Sequence, residues 1–196
     1  MLSPNAIACT VEAFRHARAH GARISIDLNF RRKLWSETEA QPVMRRLVSN
    51  IDVVIANEED LKACLGIAVA NARVTEGRLD PEAYRNAAKR VTQEHGVKLV
   101  AVTLRESYSA SDNGWSAVAW ESDSETFHHS RHYDIRLVDR IGGGDAFSAG
   151  LIYGLVSGRG TPAALNFAVA ASALKQTIPG DFDCVSVSEV GPTRER

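Results

Sequence analysis

The chain has 196 residues, 23 of them basic and 24 acidic, and a formal net charge of −1. With 44% hydrophobic and 24% charged residues it has the composition of a soluble globular protein, and we expect one domain over residues 1–190 followed by a disordered tail over residues 191–196. A nearly neutral chain creates no strong field for nucleic acid or for an anionic membrane, so neither partner is expected.

The three cysteines are far apart and form no Cys-x-x-Cys pair. This spacing favours free thiols in a reducing compartment over a disulfide framework or a zinc site. No apolar run reaches membrane-spanning length, and the first residues lack the apolar core of a signal peptide. We therefore expect a cytoplasmic protein.

Helical and strand patterns alternate through the first half of the chain. Strands are predicted at 23–28, 52–56 and 97–104, and the helices that precede or separate them at 6–20, 36–48, 58–65 and 80–95. Such alternation predicts a parallel sheet with crossover helices. Ligands of these sheets bind at the carboxyl ends of the strands, where Asn29, Asn57 and Thr103 fall.

Two of the predicted helices carry clear N-terminal signals. Ser36 is followed three residues later by Glu39, which is the pattern of a capping box. Asn57 precedes the acidic helix at 58–65, and Gly66 marks the end of that helix.

The pattern changes after residue 105. Asn113-Gly114 is a hairpin signal, and residues 115–120 and 125–132 alternate as strands do. An alanine-rich helix at 163–175 is apolar almost all round, which predicts that it is buried.

Three consecutive glycines, Gly142 to Gly144, precede an apolar helical run. Ala146, Gly150 and Gly154 form a small-residue face on that run, which predicts a close approach to a neighbouring element. Amides at the start of such a helix are unpaired and, with the helix dipole, form an anion site.

Asp145 stands at the edge of this predicted anion site. A carboxylate there would ordinarily repel phosphate, and the economical explanation is that it accepts the proton of an attacking hydroxyl group. The alternative is a flexible glycine turn followed by an N-cap aspartate, since glycine-rich patterns often occur without a ligand.

Residues 139–149 resemble the signature of the ribokinase-like (PfkB) carbohydrate kinases, Asp-Thr-x-Gly-Ala-Gly-Asp-x-Phe. Arg140 stands here in place of the threonine, and Gly143 in place of the central alanine. These variants, together with residues 27–35, look most like the 2-keto-3-deoxygluconate kinases. Residues 103–107 and 177–182 match the family as well.

The resemblance implies an α/β fold, namely a ribokinase-like three-layer α/β/α arrangement with a mostly parallel sheet and a C-terminal β-hairpin region. It also implies an enzyme that transfers phosphate from ATP to 2-keto-3-deoxygluconate. Asp145 would be the base, and the amides of Gly142, Gly143 and Gly144 would form the anion hole for the γ-phosphate.

The same resemblance assigns binding residues. Arg31 would hold the carboxylate of the acid sugar through two parallel hydrogen bonds, although a solvated basic run over residues 31–33 would explain it too. Asn57 and Asp60 would hold Mg²⁺ through water, with the short Asp60 standing where the family has glutamate. Asp27, Asn29 and Asp181 would complete the sugar pocket, and Asn57, Thr103, Arg105, Glu106, Ser107 and Asn166 the nucleotide site.

The long N-terminal portion of the family, which carries the first strands of the sheet and a β lid, is not visible in this sequence. The chain is therefore expected to be the C-terminal part of a longer family domain. A kinase of a neutral sugar, of the ribokinase or fructokinase type, and a truncated nucleotide-binding fragment without turnover are the alternatives. Dependence on K⁺, homo-oligomerisation and association with the absent N-terminal part stay open.

Overall fold

The computed structural model of the chain describes residues 3–70 and 80–191. The predicted disordered tail thus lies, apart from Gly191, outside the described residues. None of the helices in the described ranges is both long and apolar enough to cross a membrane.

The helices are α1 (Pro4–Ala19), α2 (Glu37–Val48), α3 (Glu58–Asp60), α4 (Pro81–His95), α5 (Gly143–Val156), α6 (Thr161–Lys175) and α7 (Val187–Val190), with one π-helical turn at Leu61–Leu65. The strands are β1 (Ser25–Asp27), β2 (Val53–Ala56), β3 (Leu99–Ser107), β4 (Asp112–Glu121), β5 (Thr126–His129) and β6 (Tyr133–Arg136).

The strands are hydrogen-bonded in the order β1-β2-β3-β4-β5, and β6 pairs with β4. β1, β2 and β3 are parallel, with Ser25 opposite Val53 and Val53 opposite Leu99, whereas β4 and β6 are antiparallel. Every residue of β2 is buried, as expected for a parallel strand that is covered on both faces. The helix–strand alternation in the sequence therefore predicted the parallel part correctly.

By their internal contacts, the described residues fall into two compact units. One comprises residues 3–70, 82–102 and 120–126, and the other residues 80–81, 103–119 and 127–191. The assignment of residues 1–190 to a single domain stays a prediction.

Capping fixes two helix starts of the first unit, those of α2 and α3, where the sequence predicted them. The Glu39 amide donates to Ser36 Oγ at 3.3 Å, and the Ser36 amide donates to Glu39 Oε2 at 2.9 Å. Asn57 Oδ1 accepts the Asp60 amide at 2.8 Å and so caps α3. The predicted helix at 58–65 differs in its second half, where it widens into the π turn before Gly66 ends it at a φ of 72°.

The predicted hairpin turn at Asn113-Gly114 is wrong, because both residues lie inside β4. The turn falls instead at residues 108–111, where Ser109 Oγ accepts the amides of Ser111 and Asp112 at 3.1 and 2.9 Å. A Cβ added at Gly114 would meet the Tyr108 hydroxyl group, which is the end of an exposed side chain and can move aside. The glycine therefore lies in a strand and marks no turn.

α5 packs on α6 with almost no space between the two backbones. A Cβ added at Gly150 would lie 2.8 Å from Ala168 Cα, and one added at Gly154 would lie 2.7 Å from Ala164 Cα. Phe147 and Leu151 of α5 are fully buried. The small-residue face predicted for α5 is therefore the face on which α6 rests, and α6 is buried nearly all round as its composition predicted.

We expect Gly154→Ala to lower the free energy of unfolding by about 1–2 kcal/mol. Overpacking against the α6 backbone costs about 1–3 kcal/mol and exceeds the roughly 1 kcal/mol that alanine gains in helix propensity. Urea denaturation followed by circular dichroism measures the difference. The matched control is Gly144→Ala in the same helix, since a Cβ there would meet nothing within 4 Å. Equal stability of the two variants would contradict the close packing.

Candidate active site

The glycine loop leads directly into α5. Gly142 is the N-cap, with a φ of 80°, and its carbonyl group accepts the Ala146 amide at 2.9 Å. Gly142 must be a glycine for two reasons: its φ lies in the left-handed region, and an added Cβ would lie 2.5 Å from the Asp181 carbonyl oxygen. The loop thus places Gly142, Gly143 and Gly144 around the first turn of the helix.

Three N–H groups at the start of α5 have no acceptor among the residues that the structure describes. Within the described part of the chain, no hydrogen bond uses the amides of Gly142, Gly144 or Asp145, whereas the Gly143 amide donates to the Arg140 carbonyl group at 3.3 Å. Unpaired amides at the start of a 14-residue helix can bind an anion. The anion site stays a prediction. The sequence placed it at the amides of residues 142–144, and the amides without an acceptor among the described residues are those of residues 142, 144 and 145.

Gly144 has no structural need to be a glycine. Its φ is not in the left-handed region, and a Cβ added there would meet nothing within 4 Å. Alanine would also favour the helix by about 1 kcal/mol. Because Gly144 has no side chain, an anion can approach the neighbouring amides from solvent without obstruction.

Asp145 is the third residue of α5 and has an exposed side chain. Its carboxylate makes no hydrogen bond or ion pair with another described residue. The alternative role of Asp145 as N-cap is wrong, because Gly142 occupies that position and no side chain caps the helix. No described residue therefore occupies this carboxylate, and its role as a base stays a prediction.

The glycine loop rests on three buried polar residues at the end of α6. Ser172 Oγ donates to the Gly143 carbonyl group at 2.7 Å, and Gln176 Cγ would lie 3.0 Å from a Cβ added at Gly143. Lys175, fully buried, is the third. The sequence analysis missed this support, although a lysine that ends a helix predicted to be buried was a usable signal.

Asp139 ties the loop to the turn that follows α6. Its two carboxylate oxygens accept the amides of Ile141 and Gly180, each at 3.0 Å. These two hydrogen bonds hold the pKa of Asp139 below its ordinary value. The backbone of Asp181, which the resemblance placed in the sugar pocket, is thereby held against Gly142.

Positive charge accompanies the loop in the same unit. Burial and the nearby charge of Arg105 lower the pKa of Arg140. Neither guanidinium forms an ion pair with a described residue, and Arg105 Nε is buried without a hydrogen-bond partner. Two arginines without an ionic partner among the described residues favour a bound anion.

The other residues predicted to bind nucleotide differ in whether their side chains already make hydrogen bonds within the protein. Thr103 and Ser107 are half-buried on β3. Glu106 accepts the Tyr108 hydroxyl group at 2.6 Å, which raises the pKa of Tyr108 to about 12. Asn166 Oδ1 accepts the Arg131 amide at 2.7 Å and so fixes the loop between β5 and β6.

The first unit contains the predicted sugar and magnesium residues. The Phe30 amide donates to Asp60 Oδ1 at 2.9 Å, which joins the loop after β1 to the start of α3. Asn29, in that loop, has a φ of 39°, and the Arg31 side chain is exposed. Asp27 lies half-buried at the end of β1. The structure thus places Asp27, Asn29, Arg31, Asn57 and Asp60 in one neighbourhood at the carboxyl ends of two strands.

Asp60 has less freedom than a typical metal ligand. Only 6% of its surface is exposed, its second carboxylate oxygen accepts the Asn57 amide at 3.4 Å, and burial raises its pKa. Asn57 Oδ1 is engaged in turn by the Asp60 amide. Mg²⁺ prefers oxygen ligands such as these carboxylate and amide oxygens. Because the oxygens already accept hydrogen bonds, they are better suited to bind Mg²⁺ through water than to ligate it directly. Within the described ranges, no three histidine, cysteine or acidic residues form a cluster that could hold a metal.

Comparison with known proteins gives concordant matches. A family model described as pfkB family carbohydrate kinase matches residues 1–186. The crystal structure of 2-dehydro-3-deoxygluconokinase from Thermotoga maritima is 42% identical with a TM-score of 0.86, over 96% of this chain and 55% of that one. The 2-dehydro-3-deoxygalactonokinase of Haloferax volcanii is 29% identical over 92% of this chain and 50% of its own length. Arabidopsis thaliana ribokinase, solved with ribose and ATP, shares the fold at 20% identity and a TM-score of 0.64, over 89% of this chain and 47% of that one.

The matches confirm the predicted family and the ribokinase-like α/β fold. The chain spans about half the length of the relatives it matches.

Gly144→Ala should separate stability from ligand binding. The variant is expected to unfold at the same or a slightly higher urea concentration, because its methyl group is unhindered and favours the helix. Its affinity for ATP, measured by calorimetry, should fall about tenfold or more, since the methyl group would occupy the approach to the free amides. Unchanged affinity would contradict the anion site, provided that the wild-type chain binds ATP.

Proposed function

Because the chain belongs to the PfkB family of carbohydrate kinases, we propose that it carries the phosphoryl-transfer centre of a kinase that uses ATP to phosphorylate 2-keto-3-deoxygluconate. The observation that carries the proposal is the juxtaposition at the start of α5. There, an exposed and unpaired carboxylate, Asp145, adjoins helix amides that have no acceptor within the described part of the chain.

The proposed reaction needs one proton transfer and one phosphoryl transfer. Asp145 takes the proton of the acceptor hydroxyl group as that oxygen forms its bond to the γ-phosphorus. The bond from the γ-phosphorus to the bridging oxygen breaks, and ADP leaves with the electron pair. The loop amides stabilise the charge on the transferred group, which is the main contribution a protein makes to such reactions.

Support for an acidic acceptor comes from the first unit. Arg31 is exposed in the loop after β1, and its guanidinium can donate two parallel hydrogen bonds to a carboxylate. Asp27 at the end of β1 and Asn29 in the loop after it are proposed to bind sugar hydroxyl groups. Asp181 is likewise proposed as a sugar-binding residue. The Thermotoga maritima and Haloferax volcanii relatives are both named as kinases of dehydro-deoxy sugar acids, which favours this acceptor over a neutral sugar.

ATP and Mg²⁺ are the proposed cofactors. Asn57 and Asp60 would hold Mg²⁺ through water, and the ion, when bound, neutralises charge on the phosphates. Thr103, Arg105, Glu106, Ser107 and Asn166 are proposed to contact the nucleotide.

Asp145→Asn tests the proposed base. We expect sugar-dependent formation of ADP, measured with 2-keto-3-deoxygluconate and Mg²⁺ in a coupled assay, to fall by about 10²–10⁴-fold, because asparagine cannot accept the proton. Binding of ATP should change far less.

Asp123→Asn, at an exposed aspartate in the β4–β5 turn, is the matched control and should retain full activity. Undiminished turnover in Asp145→Asn would refute the assigned base. A wild-type chain that binds ATP without releasing ADP in the presence of any sugar would instead identify a nucleotide-binding fragment without turnover.

Arg31→Ala tests the class of acceptor. For 2-keto-3-deoxygluconate, kcat/KM should fall about 10–100-fold, which corresponds to the roughly 1.5–3 kcal/mol of hydrogen bonds to a charged group. Turnover of ribose or fructose, if present, should change little.

Arg32→Ala removes an adjacent exposed arginine of the same loop and serves as the control. Equal losses for acidic and neutral sugars in Arg31→Ala, or preferred turnover of a neutral sugar by the wild-type chain, would favour a ribokinase- or fructokinase-type enzyme.

A further inference from the structure

Lys175 is a lysine with no exposed surface at the end of an otherwise apolar helix. Burial of an ammonium group is unfavourable unless partners compensate for the lost water. Lys175 lies in the last turn of α6, where the helix dipole favours a cation, and its Nζ donates to the Gly180 carbonyl group at 2.7 Å. The residue is therefore held by specific contacts.

These contacts join three segments of the second unit. Lys175 Cε would lie 3.1 Å from a Cβ added at Gly142, so the lysine side chain passes directly beside the glycine loop. Gly180 is held at both of its backbone groups, because its carbonyl group accepts from Lys175 and its amide donates to Asp139. Asp139 also accepts the Ile141 amide at the entry to the loop.

The charge of Lys175 resolves an electrostatic conflict. Asp139 places a carboxylate three residues before Gly142, and a negative charge there would weaken the binding of an anion. The positive charge of Lys175 acts on Asp139, where it adds to the two hydrogen bonds that lower the pKa of this carboxyl group. The loop thereby keeps its two hydrogen bonds to the Asp139 carboxylate, while Lys175 reduces the repulsion between that carboxylate and a bound anion.

We propose that Lys175 is a positioning residue: its buried ammonium group acts as a fixed internal cation that locks Gly180 and the Asp139 carboxylate beneath the glycine loop and so holds the loop amides in their anion-binding arrangement. The proposal rests on the function proposed above for this loop. Lys175 does not itself touch the substrate, because its side chain is enclosed and its Nζ is directed at Gly180.

Lys175→Met tests this role because methionine retains most of the volume and removes the charge. Amide hydrogen exchange of the 196-residue chain, without sugar or ATP, should show the Ile141 and Gly180 amides exchanging at least tenfold faster than in the wild type. Amides of β4, in the same unit, should be unaffected. Lys62→Met, at an exposed lysine, is the matched control and should leave both regions unchanged.

Kinetics provide the second measurement. For Lys175→Met, kcat should fall tenfold or more while KM for the sugar changes less than twofold. Unchanged exchange at Ile141 and Gly180, or equally accelerated exchange throughout the unit, would overturn the positioning role. If the variant fails to fold, the wild-type chain decides: a slowly exchanging Lys175 ammonium signal in ¹⁵N NMR is expected, and its absence would overturn the proposal.

Exchange and turnover also separate this proposal from the function on which it rests. Loop protection that depends on Lys175 in a chain without sugar-dependent ADP formation would preserve the positioning role and refute the kinase function. Sugar-dependent turnover that is insensitive to Lys175→Met would preserve the kinase function and refute the positioning role.

Discussion

The contact between the backbones of α5 and α6 is the constraint on which the proposed phosphoryl-transfer centre depends. Gly150 and Gly154 allow α5 to approach the alanine backbone of α6 so closely that no side chain fits between them. This approach brings the first turn of α5 onto Ser172, Lys175 and Gln176 at the other end of α6. The position of the loop amides is thus set by helix packing along the whole length of α5.

Much of this arrangement is readable from the sequence because it depends on local rules. The small-residue spacing of Ala146, Gly150 and Gly154 and the capping signals at Ser36 and Asn57 each predicted a feature that the structure contains. Helix–strand alternation likewise predicted the parallel strands. The anion site that the three glycines indicate stays a prediction.

Features that depend on distant partners were not readable. Asn113-Gly114 has the composition of a turn, yet both residues lie in β4 and pair with Ile135 and Asp134 of β6. Lys175 ends a helix that was predicted to be buried, which indicates a buried lysine, but its acceptor, the Gly180 carbonyl group, could not be read from the sequence. In the same way, the sequence does not show that Asp60 accepts a hydrogen bond from the amide of Phe30, 30 residues earlier in the chain.

The π turn after Asp60 has a consequence for how related sequences can differ in length. A π turn contains one residue more than an α turn, so loss of a single residue between Asp60 and Gly66 could be absorbed by a return to regular helix. Asn57 and Asp60 would keep their orientation toward the loop after β1, because the π turn already holds the extra residue. The hydrogen bond from the Phe30 amide to Asp60 would then survive the loss. The π turn therefore makes this segment tolerant of a one-residue deletion that a regular helix could not absorb.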